Sequence, residues 1–155
     1  MLQLEQMRYI LTAALLATAP AEAAMRHAVG TFEVKMTQRE ADVADGVPLA
    51  RIHVAKTFTG GLAATGSGDM LTGGDPAAGS SAYVLIERVT GTLDGTPGSF
   101  ALMHSATMYG GKQDQRIVVV PGTGTGALTG LTGTLTMRIE GGKHFYDLAY
   151  EIAPR

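Results

Sequence analysis

The chain has 155 residues, of which 45% are apolar and 17% charged, so it suits one folded domain and not a disordered chain. Twelve Lys and Arg residues against fourteen Asp and Glu residues give a formal net charge of −2, and without a basic stripe nucleic acid is not an expected partner. Cysteine is absent, which excludes disulfides, thiolate catalysis and cysteine-type zinc sites.

Residues 1–24 are interpreted as a leader or signal peptide. An apolar run from Tyr9 to Thr18 follows a short positive start, and Ala21-Glu22-Ala23 has the small-x-small form of a signal-peptidase site. A signal peptide predicts a periplasmic or secreted protein, whereas translation from Met25 predicts a cytoplasmic one. The run is too short to span a bilayer as a helix, so no stable membrane insertion is expected.

Residues 25–155 predict a single all-β domain. Stretches rich in β-branched and apolar residues alternate with Gly-Gly, Asp-Gly and Pro-Gly turns. The predicted strands are 30–37, 50–59, 62–71, 81–93, 99–109, 112–120, 128–140 and 143–152. Two longer loops are expected at 38–48 and 72–80. Sequential hairpins of this kind predict an eight-stranded antiparallel up-and-down barrel without free edges.

Alternation along the strands predicts which side chains face the interior. In the last strand His144, Tyr146 and Tyr150 share one face, and a two-residue turn at Gly141-Gly142 places Tyr146 opposite Met137. The inward face of the fifth strand carries Phe100, Leu102 and His104, and that of the fourth carries Tyr83 and Glu87. A four-residue loop at 94–97 would place Glu87 directly opposite His104.

A carboxylate and an imidazole on an apolar inner surface form a candidate acid–base pair. Directly opposed residues lie close enough for a hydrogen bond, through which Glu87 would orient His104 for proton transfer. Tyr146 or Tyr150 would then hold a developing oxyanion. The side chains expected to contact a ligand are those of Lys56, Tyr83, Phe100, Leu102, Gln115 and His144. The alternatives are a self-satisfied structural pair and, for Lys56, a side chain that leaves the end of the barrel.

Four segments of the chain resemble a family of small bacterial proteins known as domain-of-unknown-function 3224. They are residues 27–34, residues 86–91, residues 98–100 together with 104–105, and residues 142–147, and the resemblance covers about residues 26–152. That family is grouped with the allene oxide cyclase-like barrels, so the resemblance implies a barrel of this calycin-like type with a central cavity, often in an oligomer. Related barrels include cofactor-free cyclases and isomerases of hydrophobic substrates, but the resemblance transfers no catalytic residue.

The function expected from these observations is a cofactor-independent isomerase, cyclase or lyase that acts by proton transfer on a small hydrophobic or aromatic molecule. A lipocalin-like carrier that uses the same cavity without chemistry is the alternative, and a barrel that mainly assembles with itself is a third. The four histidines lack metal-ligand spacing, so no metal is expected. Outward-facing Val118, Val120 and Phe145 favour a homo-oligomer.

Overall fold

The described part of the chain, residues 24–153 of a computed structural model, is a closed barrel of eight antiparallel strands in sequential order. This confirms the predicted fold. The predicted leader, apart from Ala24, lies outside the described residues. The strands are β1 Arg26–Ala44, β2 Val47–Gly60, β3 Leu62–Asp75, β4 Ser80–Leu93, β5 Thr96–Tyr109, β6 Lys112–Val119, β7 Leu131–Glu140 and β8 Lys143–Ile152. Two short 3₁₀ helices, Pro76–Ala78 and Gly126–Leu128, lie in connections, and none of the helices described is long and apolar enough to cross a membrane.

The first hairpin is longer than predicted. The expected loop at 38–48 was wrong, because β1 and β2 continue as paired strands up to a two-residue turn at Asp45-Gly46. A register shift between Gln38 and Glu40 interrupts the ladder, and beyond it most side chains are exposed. Val34 and Met36 line the cavity before the shift, whereas Ala41 and Val43 line it after the shift, so the inward positions change from even to odd numbers. The alternation of the strand is therefore interrupted in the sequence at the point where the loop was predicted to begin. The expected loop at 72–80 is likewise shorter, since β3 extends to Asp75.

The connection between β4 and β5 fixes the register of the two strands that carry the predicted acid–base pair. Asp94 and Gly95 both have positive φ angles, 47° and 79°, which is the backbone of a two-residue hairpin turn. The predicted four-residue loop was therefore wrong. Glu87 pairs with Leu102, and His104 is displaced from it by two residues along β5. A shift of two residues keeps both side chains on the same face of the sheet.

The two ends of the barrel differ. At one end, buried leucines from the connections and strand ends close the interior: Leu62, Leu93, Leu128 and Leu131. At the other end, the hairpins β1–β2, β3–β4, β5–β6 and β7–β8 surround an opening. The predicted pairing of Tyr146 with Met137 across the Gly141-Gly142 turn is confirmed. Large side chains thus fill one half of the interior and leave the other half open.

Candidate functional site

Three ionisable side chains from different strands meet at the boundary between the filled and open halves of the barrel. Lys56 Nζ and His104 Nε2 each lie 3.0 Å from the same oxygen, Oε1 of Glu87. Glu87 is fully buried, and Lys56 and His104 are only 8% and 3% exposed. The predicted contact between Glu87 and His104 is therefore confirmed, although the two residues are diagonal neighbours and not directly opposed. Sequence reasoning missed the third member, because it left Lys56 unpaired.

Two glycines in β3 allow Lys56 and Glu87 to meet across the strand that separates them. Lys56 is paired with Gly66, and Glu87 with Gly68, so both inward positions between the two charged residues lack side chains. A Cβ at Gly66 would lie 3.1 Å from Oε2 of Glu87 and 3.1 Å from Cε2 of Phe58. A Cβ at Gly68 would clash with the backbone of β4. These inward glycines between Lys56 and Glu87 were the sequence signal that could have identified the ion pair.

The contacts favour a charged Glu87 and a neutral His104 at neutral pH. Burial alone would raise the pKa of Glu87, but the hydrogen bond to His104 and the positive charge of Lys56 outweigh it and hold the pKa below its usual 4.5. Burial lowers the pKa of His104 below its usual 6.5, against the hydrogen bond to Glu87. Burial also lowers the pKa of Lys56, although Glu87 opposes this.

The hydrogen bond to Glu87 determines which nitrogen of His104 carries the proton. A carboxylate can only accept, so the neutral imidazole donates through Nε2–H, and Nδ1 retains its lone pair. No hydrogen bond to Nδ1 occurs within residues 24–153, and His104 lines the cavity. Among the buried side-chain atoms described, Oε2 of Glu87 is the one without a hydrogen-bond partner. The cluster therefore contains a free imidazole nitrogen on a residue that lines the cavity, and a carboxylate on a residue that does not line it.

A cavity of about 640 Å³ extends from Lys56 and His104 to the open end of the barrel. This volume lies within the range of small-molecule sites. The wall is mainly apolar and includes Val34, Ile52, Val54, Met70, Leu85 and Met137. A ligand held there would contact mainly apolar side chains, with ionisable groups at the cavity floor and at Asp75 near the opening.

Four residues predicted to contact a ligand line this cavity. Lys56 points inward and does not leave the end of the barrel, and its Nζ lies 5.2 Å from the ring centroid of Phe32. The ring of His144 stacks on the ring of Phe32, with the two centroids 4.8 Å apart. Gln115 donates a hydrogen bond of 2.6 Å to the hydroxyl of Tyr83 across the intervening strand β5, where Ala106 is paired with both residues. The Tyr83–Gln115 pair thus adds polar groups to the otherwise apolar cavity wall.

Phe100 and Leu102, also predicted as ligand contacts, lie outside the cavity lining. Both belong to the buried core that fills the closed half of the barrel. Their inward orientation was predicted correctly, but inward residues at this level contact one another. They support the floor from below.

The two tyrosines predicted to hold an oxyanion are also placed in the closed half, away from the cavity. The hydroxyl of Tyr146 accepts a hydrogen bond of 2.8 Å from the backbone N–H of Leu62 and donates one of 3.0 Å to the carbonyl of Thr59. The hydroxyl of Tyr150 donates to Asp94 at 2.6 Å, and burial together with this bond raises the pKa of Tyr150 to about 12. Both hydroxyls therefore tie barrel strands and turns together.

A second polar group, on the outer surface, has the composition of a catalytic triad. His53 Nδ1 lies 2.9 Å from Asp69, and His53 Nε2 lies 3.5 Å from Oγ of Ser67. The strand that carries Ser67 is paired on both sides at this position, with Ala55 and with Arg88. Its backbone N–H groups are therefore engaged in the ladders and do not supply an oxyanion hole here. We assign no reaction to this group.

Within residues 24–153, no group of three or more His, Asp or Glu side chains is arranged to hold a metal ion. The imidazole of His104 and the ammonium group of Lys56, which both contact one carboxylate oxygen of Glu87, are instead suited to moving a proton and stabilising negative charge.

The comparisons with known proteins identify the family. No curated protein matches the chain. A solved structure from Shewanella oneidensis MR-1, described as a protein with unknown function from the DUF3224 family, is 41% identical in sequence. The match covers 85% of this chain and 100% of that chain, with a TM-score of 0.80. Residues 28–150 match the family described as protein of unknown function (DUF3224), and the chain therefore belongs to that family.

Proposed function

We propose that this protein binds a small hydrophobic or aromatic carbonyl compound in the barrel and catalyses a proton transfer on it, as an isomerase, cyclase or lyase that needs no cofactor. The observation that carries the proposal is the position of His104. Its Nε2–H is bound to a buried carboxylate, and the other ring nitrogen remains as a base at the floor of an apolar cavity. Because burial lowers the pKa of His104 below its usual 6.5, the imidazole is neutral at physiological pH and can accept a proton.

Lys56 takes the role that the sequence suggested for tyrosines. One of its three N–H donors is used by Glu87, so others can point to a ligand oxygen. Nζ of Lys56 and Nε2 of His104 each lie 3.0 Å from Oε1 of Glu87. The two nitrogen atoms are therefore separated by at most twice that distance. A carbonyl oxygen held by Lys56 would place the adjacent C–H bond near His104. The ammonium charge would then stabilise the enolate that forms when the proton leaves.

A carrier without chemistry is the second candidate, and the apolar wall of the cavity favours it. Binding a hydrophobic molecule needs the volume and the apolar lining, but it needs no base. The two candidates differ in whether His104 takes a proton from the ligand.

Proton exchange on phenylacetone in D₂O, followed by NMR, distinguishes the two candidates. Loss of an α-proton is the step that isomerases, cyclases and lyases of carbonyl compounds share, so the test does not require the natural substrate. We expect the wild type to accelerate exchange and His104→Ala and Glu87→Gln to reduce the acceleration by about 10²-fold or more. His53→Ala, at a partly exposed histidine on the outer surface, is the matched control and should exchange like the wild type.

Binding measured in parallel, by displacement of a fluorescent naphthalene probe, completes the test. If phenylacetone displaces the probe but no variant accelerates exchange, the protein is a carrier. If His104→Ala exchanges as fast as the wild type, the assignment of the base is wrong.

A further inference from the structure

Lys56 places a buried primary amine beside His104 at the cavity floor, and we infer that this amine forms an imine with the carbonyl carbon of the ligand. The natural ligands would then be aldehydes or unhindered ketones. This inference deepens the proposed function and rests on it in placing a carbonyl compound at the cavity floor. It changes the role of Lys56 from an electrostatic contact to a covalent one, so the α-proton would be removed from an iminium ion and not from the free carbonyl compound.

The surroundings of Lys56 favour the neutral amine more than those of any exposed lysine. The side chain is 8% exposed and sits in a largely apolar lining. Burial penalises the ammonium form, and this is the usual origin of nucleophilic lysines in proteins. The aromatic faces of Phe32 and Phe58, with centroids 5.2 and 5.9 Å from Nζ, favour the cation and oppose this effect. The balance lowers the pKa of Lys56 because burial is the largest contribution.

Glu87 provides a place for the proton that Lys56 must lose. Transfer from Nζ to Oε1 across the 3.0 Å hydrogen bond converts an ammonium–carboxylate pair into a neutral amine and a neutral acid. A low-dielectric interior reduces the cost of this change, because neutral groups are easier to bury than charges. The same carboxyl group can then return the proton to the oxygen of the adduct.

The reaction balances with groups at the floor. The lone pair of Lys56 Nζ adds to the carbonyl carbon, and the carbonyl oxygen takes the proton from Glu87 to give a carbinolamine. This carbinolamine still carries two protons and a positive charge on its nitrogen, and one of these protons passes through the carboxylate of Glu87 to the hydroxyl group. The hydroxyl group then leaves as water, which gives the iminium ion. His104 Nδ1 then removes the α-proton to give an enamine. In a β,γ-unsaturated ligand this enamine is a conjugated dienamine, so reprotonation at the γ-carbon and addition of water release the isomerised carbonyl compound and the amine.

Reductive trapping with benzaldehyde and cyanoborohydride tests the imine separately from proton transfer. Benzaldehyde has no α-proton, so it can form the imine but cannot enolise. We expect one benzyl group per chain at Lys56, located by peptide mapping, at an aldehyde concentration that leaves the exposed Lys35, Lys112 and Lys143 unmodified. Lys56→Arg should abolish the modification, since a guanidinium does not form an imine under these conditions.

Glu87→Gln gives a readout that a purely structural Lys56 would not show. The amide removes the negative charge that raises the pKa of Lys56, so the pH at which benzaldehyde trapping reaches half its maximal rate should fall. It also removes the acid that protonates the adduct, so the maximal rate of trapping should fall as well. The same variant should lose the exchange of phenylacetone, because the amide no longer sets the orientation and basicity of His104. A lower pH midpoint together with a lower maximal rate of trapping supports the inference, and a pH profile and rate identical to those of the wild type overturn it.

The failures of the two proposals are distinguishable. If phenylacetone exchange proceeds in the wild type but no benzyl group appears at Lys56, the imine is overturned and the proposed proton transfer stands. If Lys56 is modified no faster than the exposed lysines, the imine is also overturned. A benzyl group at Lys56 without exchange in any variant supports the imine and refutes the proton transfer.

Discussion

Replacing Lys56 by methionine tests how strongly the buried carboxylate of Glu87 depends on its cation. At the observed 3.0 Å, two unit charges attract by about 5 kcal/mol if the effective dielectric constant is about 20. Both groups also lose their hydration, so the net stabilisation is smaller. Removal of one partner from a buried pair usually costs about 3–5 kcal/mol, because the remaining charge stays buried and unpaired. We expect Lys56→Met to lower the free energy of unfolding by that amount at about pH 8.

His104 makes this loss depend on pH. In the wild type, burial and the charge of Lys56 lower the pKa of His104. Without Lys56, the carboxylate favours the imidazolium form, which can replace the missing cation when protons are plentiful. The destabilisation by Lys56→Met should therefore be smaller at about pH 6 than at about pH 8.

The assay is a double-mutant cycle in urea with Lys56→Met, Glu87→Gln and the double variant. The double variant removes both charges, so we expect it to be more stable than the sum of the single effects predicts, by about 2 kcal/mol or more. Lys35→Met makes the same substitution at an exposed position of β1 and should change stability by no more than about 0.5 kcal/mol. Additive single effects, or a Lys56→Met variant as stable as Lys35→Met, would refute the reasoning.

Two further predictions concern stability. The pKa values of His104 and Glu87 lie below their usual 6.5 and 4.5, so as the pH falls the unfolded chain takes up these protons before the barrel does. The melting temperature should therefore decrease as the pH falls below about 6.5, and decrease again below about pH 4.5. A melting temperature that stays constant from pH 8 to pH 4 would contradict this. Tyr146→Phe removes the acceptor of a buried backbone N–H and should cost about 1–3 kcal/mol in urea unfolding, while phenylacetone exchange, if present in the wild type, should be retained; loss of exchange in a folded variant would return Tyr146 to the reaction.

The barrel could be predicted from the sequence because its signals are local. Alternating apolar residues and Gly-Gly or Asp-Gly turns repeat along the chain, and each hairpin depends on only a few residues. The loops at 38–48 and 72–80 were overestimated for the same reason. In β1 the register shift between Gln38 and Glu40 moves the inward positions from even to odd numbers, which breaks the alternation, and β3 ends in Gly73 and Gly74, which carry no side chains to show it.

The candidate site was predicted in part. The alternation of side chains along a strand was enough to predict that Glu87 and His104 lie on one face of the sheet. The error of two residues in their register did not change that face. The pairing of Lys56 with Glu87 crosses an intervening strand, so it depends on the missing side chains at Gly66 and Gly68. The same alternation could not distinguish the filled half of the interior from the open half. Tyr146 and Tyr150 point inward, as predicted, but at the wrong depth for the cavity.

The placement of the hairpins has a consequence for how this architecture can diversify. The turns at Asp45-Gly46, Gly110-Gly111 and Gly141-Gly142 border the opening, whereas the packed leucines and the tyrosine hydroxyls hold the opposite end. If the barrel binds a small molecule as proposed, insertions or grafted segments at these rim turns would alter the range of ligands and leave the closed end in place. Ligand size and the packing of the closed end would then vary separately, whereas Lys56, Glu87 and His104 contribute both to the proposed site and to the stability of the barrel.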